Sequence, residues 1–192
     1  PHGTHVAGII AATANNGSDG RGVAQHVEFL DVNNTTGVSV SEMIDWATDH
    51  GADVINMSFC EVASDGNLPC RDTPSGATIG AIAWAAHRGV LMFAAAGNCG
   101  PGIDFSKYPR ARAQCDGVHN RVTYPGAYQR VISVGAYSAD GSIAGFSTRN
   151  EYVAVTAPGV DILSTVIGGS VKSENGTSQA SPMVAGAAAA IL

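Results

Sequence analysis

The sequence predicts an α/β fold, a three-layer α/β/α arrangement in which helices cover both faces of a mostly parallel sheet. Continuous apolar runs alternate along the chain with helical patterns, which is typical of strands that are buried on both faces. Of the 192 residues, 45% are hydrophobic, 14% are charged and 24 are glycines. That composition excludes a disordered chain or a coiled coil, and the length suits one domain.

The N-terminal part is predicted to form a helix, a loop and a strand. Residues 2–14 form the helix, with Val6 and Ile9 on its buried side. Residues 15–22 are rich in asparagine and glycine and are predicted as a loop. The apolar run at 27–32 is predicted as the first strand of this chain.

Two helix–strand units follow, and each helix is closed by a glycine. Ser39 or Ser41 caps the first of these helices, and Ser75 opens the second. The predicted elements are a helix ending at Gly51, a strand at 53–58, a helix at 77–88, and strands at 90–95, 131–136 and 152–155. Shorter extended pieces connect the last of these strands to Ser178.

The last predicted helix begins near Ser178. Asn175-Gly176 is a turn signal, and the small residues after it favour a helix. The Ser178 hydroxyl therefore lies at a helix start, where unpaired N–H groups favour developing negative charge. Gly176 leaves room for a substrate backbone, and Pro182 is expected in the first turn. The serine of an isolated G-x-S motif is usually an ordinary N-cap residue of a buried helix. Other residues must therefore show whether Ser178 has a functional role.

Other polar residues are predicted to gather at the same edge of the sheet as Ser178. Ligands of such sheets bind beyond the carboxyl ends of the strands, which here are residues 58–60 and 96–98. His2, at a helix start, is the best-placed base among six histidines, and Asn98 could donate its amide to an oxyanion. Taken singly, Ser178 could be a helix cap, His2 a surface imidazole and Asn98 a turn residue. Those separate explanations do not account for the three occurring together.

The four cysteines fall into two local pairs, Cys60 with Cys70 and Cys99 with Cys115. A zinc site is the alternative, but neither pair has the short spacing of a zinc knuckle. We therefore predict the disulfides 60–70 and 99–115, each stabilising the fold by roughly 2–3 kcal/mol. Disulfides form in oxidising compartments, so we expect a secreted, extracellular protein.

Charge and hydropathy exclude several other classes of partner. The net charge is −6 and the pI is near 5.3, which argues against binding to nucleic acid or to an anionic membrane. No apolar run approaches the roughly 18 residues that span a bilayer.

The chain opens at Pro1 without a methionine and stops within an apparent helix. We expect it to be an internal piece of a longer protein, truncated at both ends, so that targeting signals would lie outside it.

Several motifs together resemble the subtilisin-like serine proteases, or subtilases. The resemblance is carried by residues 2–8 (HGTHVAG), 95–98 (AAGN) and 176–186 (GTSQASPMVAG). Residues 53–58 (DVINMS), 124–126 (YPG) and 157–160 (APGV) strengthen it. The motifs occur in the order of that family and extend over essentially the whole chain, which is therefore expected to be part of a subtilase catalytic domain.

The resemblance implies a serine endopeptidase that works through an acyl-enzyme. His2 would be the general base, Ser178 the nucleophile, and Asn98 an oxyanion donor beside the Ser178 N–H. His5 would have no chemical role. In this family the acid of the triad precedes the histidine along the chain, so the aspartate is expected upstream of residue 1. The resemblance leaves no such role for Asp19, Asp31 or Asp53.

The resemblance also implies that the strand carrying that aspartate belongs between the strands at 27–32 and 53–58. Without it both neighbours keep unpaired edges, so residues 1–192 alone are expected to fold poorly and to be inactive. The alternative is an inactive, subtilase-like binding domain, which the intact His2, Asn98 and Ser178 argue against. An α/β-hydrolase lipase would need G-x-S-x-G with its histidine last, and this chain has neither.

The resemblance further implies how substrates and ions would bind. Polypeptide substrates would pair as a strand with residues 58–60, and a medium-sized apolar side chain is expected before the scissile bond. The expected substrate-binding residues are Ser58, Phe59, Cys60, Ala96, Gly97 and Thr123. Cys60 replaces a usual glycine, and Thr123 replaces a smaller residue near the base of the specificity pocket.

Asn15 is a candidate calcium ligand in a loop one residue longer than usual, although an ion-free Asn/Gly turn fits equally. A monomer with an N-terminal propeptide and no catalytic cofactor is expected.

Overall fold

The computed structural model describes residues 2–17, 20–33, 37–62 and 68–192. The helices are α1 (His2–Ala11), α2 (Val40–Asp49), α3 (Gly76–His87), α4 (Pro109–Cys115) and α5 (Thr177–Ala189). The strands are β1 (Val54–Met57), β2 (Leu91–Ala95), β3 (Val131–Tyr137), β4 (Val153–Pro158), β5 (Ile162–Val166) and β6 (Ser170–Glu174). Among these described residues, no helix has the length and apolar character needed to cross a membrane.

Four of the strands form a parallel sheet in the order β1-β2-β3-β4. Met57 of β1 lies beside Ala94 of β2, and Ala95 of β2 lies beside Val134 of β3. Strands β5 and β6 form a separate antiparallel pair. The predicted α/β class and the mostly parallel sheet are thus confirmed.

The two faces of the sheet bury different cores, because successive side chains of a strand point to opposite faces. Met92 packs in a core with Ile44 of α2 and Ala85 of α3. Its neighbour Phe93 packs in the other core with Ala180 of α5. Helices therefore cover both faces, as the three-layer prediction requires.

Serine caps fix the starts of two helices. Ser39, rather than Ser41, caps α2, and with Glu42 it forms a capping box in which each side chain binds the other residue's backbone N–H. The Ser75 hydroxyl accepts from the N–H of Thr78 at the start of α3.

The predicted strand at 27–32 is wrong. None of the described residues pairs with this segment, and the side chains of Phe29 and Leu30 are exposed. A strand exists only where a neighbour satisfies its backbone groups. In the described sheet β1 is an edge that pairs with β2 alone.

Two helix boundaries also differ from prediction. Helix α1 ends at Ala11 rather than 14, because the returning chain pairs with its last turn: the N–H groups of Val23 and Ala24 donate to the carbonyls of Ile9 and Ile10. Helix α5 begins at Thr177, so Pro182 is its sixth residue and lies in the second turn. The prediction that Pro182 lies in the first turn is therefore wrong.

The predicted disulfides Cys60–Cys70 and Cys99–Cys115 are both formed. Helix α4 was not predicted. The extended pieces expected before Ser178 are β5 and β6, and their pairing as a hairpin was not predicted. The hairpin packs against α1, which lies between it and α5.

Candidate active site

Ser178 is the second residue of α5, and its side chain lies at the end of the parallel sheet. The half-buried Ser178 hydroxyl donates to the backbone carbonyl of Ser58, just beyond β1, over 3.2 Å. The sequence places both residues after a strand or a turn, and the fold brings them into contact although 120 positions separate them.

Asn98 is held against the residue that precedes Ser178. Its Oδ1 accepts two hydrogen bonds from Thr177, one from the backbone N–H (3.0 Å) and one from the hydroxyl (3.1 Å). The Thr177 hydroxyl in turn accepts from the N–H of Gly97 at 3.2 Å. These contacts fix the plane of the Asn98 carboxamide, and its Nδ2 makes no hydrogen bond to any described residue. Nδ2 lies 3.5 Å from the position that a Cβ on Gly176 would occupy. The site therefore contains an oriented amide donor that has no partner among the described residues.

His2 begins α1 and is exposed. It forms no hydrogen bond with Ser178, whose hydroxyl is directed at Ser58. Partial burial of the imidazole lowers the pKa of His2 below its ordinary value, while the charge of Glu174 raises that pKa. The lowered pKa favours the neutral imidazole, which is the form that accepts a proton. His5, by contrast, is fully buried, with its Nε2 on the Lys172 carbonyl at 2.9 Å.

Removal of the Glu174 charge should lower the pKa of His2. Glu174→Gln takes away the nearby negative charge that favours the imidazolium, so the pKa falls further below its ordinary value. The shift is limited because Lys172 already contacts the Glu174 carboxylate at 3.2 Å. NMR titration of the His2 ring in the full-length protein measures it. Glu151→Gln, which removes an exposed carboxylate that does not act on His2, serves as the control. A rise in the pKa of His2 after Glu174→Gln would contradict this assignment.

The expected substrate-binding residues form two separate groups. Ser58, Phe59 and Cys60 follow β1, and within the described part of the chain the backbone of Phe59 makes no hydrogen bond. Ala96, Gly97 and Thr123 form the second group.

In that second group the buried Thr123 hydroxyl donates to the Ala96 carbonyl at 3.3 Å. Gly97 has φ +101°, and a Cβ there would lie 2.9 Å from the Thr123 oxygen. Only glycine therefore suits this position.

A buried acidic residue that the sequence did not single out ties these loops together. Glu61 accepts hydrogen bonds from the hydroxyls of Thr78 (3.0 Å) and Tyr128 (2.7 Å), and its N–H donates to the Tyr124 carbonyl at 2.6 Å. Burial raises the pKa of Tyr128 to about 12, and the Glu61 carboxylate adds to that rise. The loop after β1 is thus fixed to the loop that follows Thr123.

The candidate calcium ligand and the aspartates that were rejected as the triad acid make no described contact with Ser178. Asn15 is exposed with φ +58°, and part of its loop, including Asp19, falls outside the described residues. Asp31 and Asp53 are exposed and are not among the charges that act on His2. Within the described ranges, no three His, Cys, Asp or Glu side chains are grouped so that they could hold a metal ion.

Comparison with known proteins matches the whole chain to related proteases. It is 39% identical over 199 residues to Subtilisin DY of Bacillus licheniformis, covering 100% of this chain and 63% of that protein. It is 37% identical over 194 residues to the thermophilic serine proteinase of Bacillus sp. (strain AK1), with 98% and 41% covered. The chain thus spans less than two thirds of the length of these relatives.

Solved structures show the same fold. The prenylagaramide maturation protease PagA superposes with a TM-score of 0.76 and 27% identity over 100% of this chain and 64% of that one. The S41 psychrophilic protease gives 0.74 and 30%, covering 99% and 62%. The family comparison matches the subtilase family over residues 1–192. With an α/β fold of the same kind and motifs in the same order, this chain belongs to the subtilase family.

Proposed function

We propose that the protein containing this chain is a serine endopeptidase that cleaves polypeptides through an acyl-enzyme. The observation that carries the proposal is the clamped carboxamide of Asn98, whose oxygen is held by Thr177 while its Nδ2 has no partner among the described residues. An immobilised, unpaired donor next to a serine at a helix start is what stabilisation of an oxyanion requires.

The proposed reaction uses three groups of this chain. Ser178 attacks the scissile carbonyl carbon while His2 takes the hydroxyl proton. Asn98 Nδ2 and the Ser178 N–H donate to the oxyanion of the tetrahedral intermediate. His2 then gives the proton to the leaving amine, and water repeats the sequence to release the acid. For the first step the Ser178 hydroxyl must turn from the Ser58 carbonyl toward His2.

We place the acid of the triad upstream of residue 1. Within the described residues no carboxylate makes a hydrogen bond to His2, and the acidic group that acts on it, Glu174, does so only through its charge. A base without an orienting acid has the wrong tautomer or orientation for much of the time. Residues 1–192 alone should therefore show negligible turnover.

Substrates are proposed to bind as an added strand. The backbone of Phe59 has no partner in the described part of the chain, so an extended peptide could pair with it. Such pairing tolerates many sequences, with a preference for a medium apolar residue before the scissile bond. Secretion, a propeptide and a monomeric state belong to the same proposal, and the two disulfides fit an oxidising compartment.

A structural calcium ion near Asn15 is a separate proposal. Calcium takes about six to eight oxygen ligands, and Asn15 is the side chain that the family resemblance suggests as one of them. Any such ion would stabilise the loop at 15–20, and no step of the reaction passes through it.

Covalent labelling of the full-length protein tests the proposed function. A fluorophosphonate probe should form an ester with the Ser178 oxygen and release fluoride, because only an activated serine reacts. Mass spectrometry of the digested protein locates the adduct. Ser178→Ala should remove it and Ser170→Ala, at an exposed serine of β6, should retain it. An unlabelled protein, or an adduct on another residue, would reject the proposal.

A further inference from the structure

We infer that Ser58 is a positioning residue for the nucleophile, because its hydroxyl supplies the hydrogen bond that Pro182 removes from the helix. The inference rests on the proposed role of Ser178. It assigns Ser58 a function of its side chain, distinct from pairing with a substrate backbone.

The need for such a residue comes from the helix itself. In an α-helix each carbonyl accepts from the N–H four residues later, and for Ser178 that residue is Pro182. Proline has no N–H. The carbonyl of Ser178 therefore has no partner within α5, although the residue is half-buried.

Ser58 provides the replacement donor. Its hydroxyl donates to the Ser178 carbonyl at 2.9 Å, and its own carbonyl accepts from the Ser178 hydroxyl at 3.2 Å. The two residues thus exchange hydrogen bonds in both directions. Ser58 is 7% exposed, so water competes little for its hydroxyl.

Two further side chains set the direction of the Ser58 hydroxyl. Asn56 Nδ2 donates to the Ser58 oxygen at 3.0 Å, which leaves the hydroxyl proton for the Ser178 carbonyl. The fully buried Ser181 donates to Asn56 Oδ1 at 2.7 Å and so fixes which end of that amide faces Ser58. The chain Ser181–Asn56–Ser58–Ser178 is satisfied at every member, as a buried network should be.

We therefore expect the hydrogen bond from Ser58 to fix the position of Ser178. Ser178 supplies both the attacking oxygen and an oxyanion donor, its N–H, so a small shift of its backbone displaces both. Misplacement of about 1 Å can cost about 10²-fold in rate. Loss of one hydrogen bond of ordinary strength should cost about tenfold.

A double-mutant cycle in the full-length protein separates this role from other roles of Ser58. Ser58→Ala should lower kcat about tenfold and change KM less than about twofold. In the Pro182→Ala background residue 182 has an N–H, so α5 can satisfy the Ser178 carbonyl itself. There Ser58→Ala should change kcat less than about twofold. An equal loss in both backgrounds, a loss expressed in KM alone, or no loss would overturn the inference.

A second variant keeps the test decisive if Pro182→Ala does not fold. Asn56→Asp is nearly isosteric but places an acceptor beside the Ser58 oxygen, so the hydroxyl proton turns away from Ser178. It should lower kcat about as much as Ser58→Ala, whereas full activity would overturn the inference. Ser170→Ala is the matched control, and thermal melting checks that each variant is folded. A parent protein whose activity does not depend on Ser178 would reject the proposed function, whereas an active parent with an unaffected Ser58→Ala variant rejects only this inference.

Discussion

Ser178→Ala should lower kcat of the full-length protein about 10⁶-fold, and adding His2→Ala should cost almost nothing more. In the proposed mechanism Ser178 and His2 act as one unit, so removal of either should already abolish the acyl-enzyme route. These magnitudes are those known for subtilisin itself and are carried over as an expectation from the family.

The measurement is kcat with a chromogenic peptide substrate for both single variants and the double variant. Each single variant should fold as the parent does, because the Ser178 hydroxyl makes one hydrogen bond to a backbone carbonyl and His2 is exposed. Ser170→Ala should retain full activity. If the losses of the two single variants multiplied in the double variant, Ser178 and His2 would not act in the same step.

Asn98→Asp should lower kcat by at least about 10²–10³-fold with little change in KM. The lower bound is the value known for loss of this type of donor in a subtilisin, so it too is an expectation from the family. An aspartate can still accept both hydrogen bonds from Thr177, but it has no N–H to offer an oxyanion. Its negative charge would also oppose the charge that develops in the transition state.

Thr177→Val is the informative companion to Asn98→Asp. It removes the hydroxyl that holds Asn98 Oδ1 at 3.1 Å but keeps the backbone N–H bond at 3.0 Å. The carboxamide is then held by one bond instead of two, so the loss in kcat should be smaller than for Asn98→Asp. Full activity of Asn98→Asp would exclude Asn98 as an oxyanion donor.

The sheet was largely predictable because its signal is local. Strands β1, β2 and β3 are mostly apolar segments between two helical layers, and each lies within a residue or two of its predicted position. The segment at 27–32 is also rich in apolar residues, although it contains Glu28 and Asp31, and it is not a strand in the structure. A strand also depends on its neighbour, and apolar periodicity carries no information about that partner.

Of the candidate site, the sequence predicted the residues with a proposed chemical role, but not the residues that hold them in place. The sequence singled out Ser178 and Asn98 by their places after a turn and a strand. It did not single out Thr177, or Asn56 and Ser181, which contact each other across 125 positions. The one available signal was the spacing of Ser181, which lies three residues after Ser178 and so on the same side of the helix.

The Tyr128–Glu61 contact has a consequence for behaviour in alkaline solution. Because the pKa of Tyr128 is raised from an ordinary 10 to about 12, folding favours the protonated phenol. The protonated Tyr128 phenol therefore makes its full stabilising contribution below pH 10, and this contribution is lost as the pH rises through about 12. Mild alkali therefore leaves the anchorage of the loop after β1 intact, and strong base would loosen this loop through loss of a single phenolic proton.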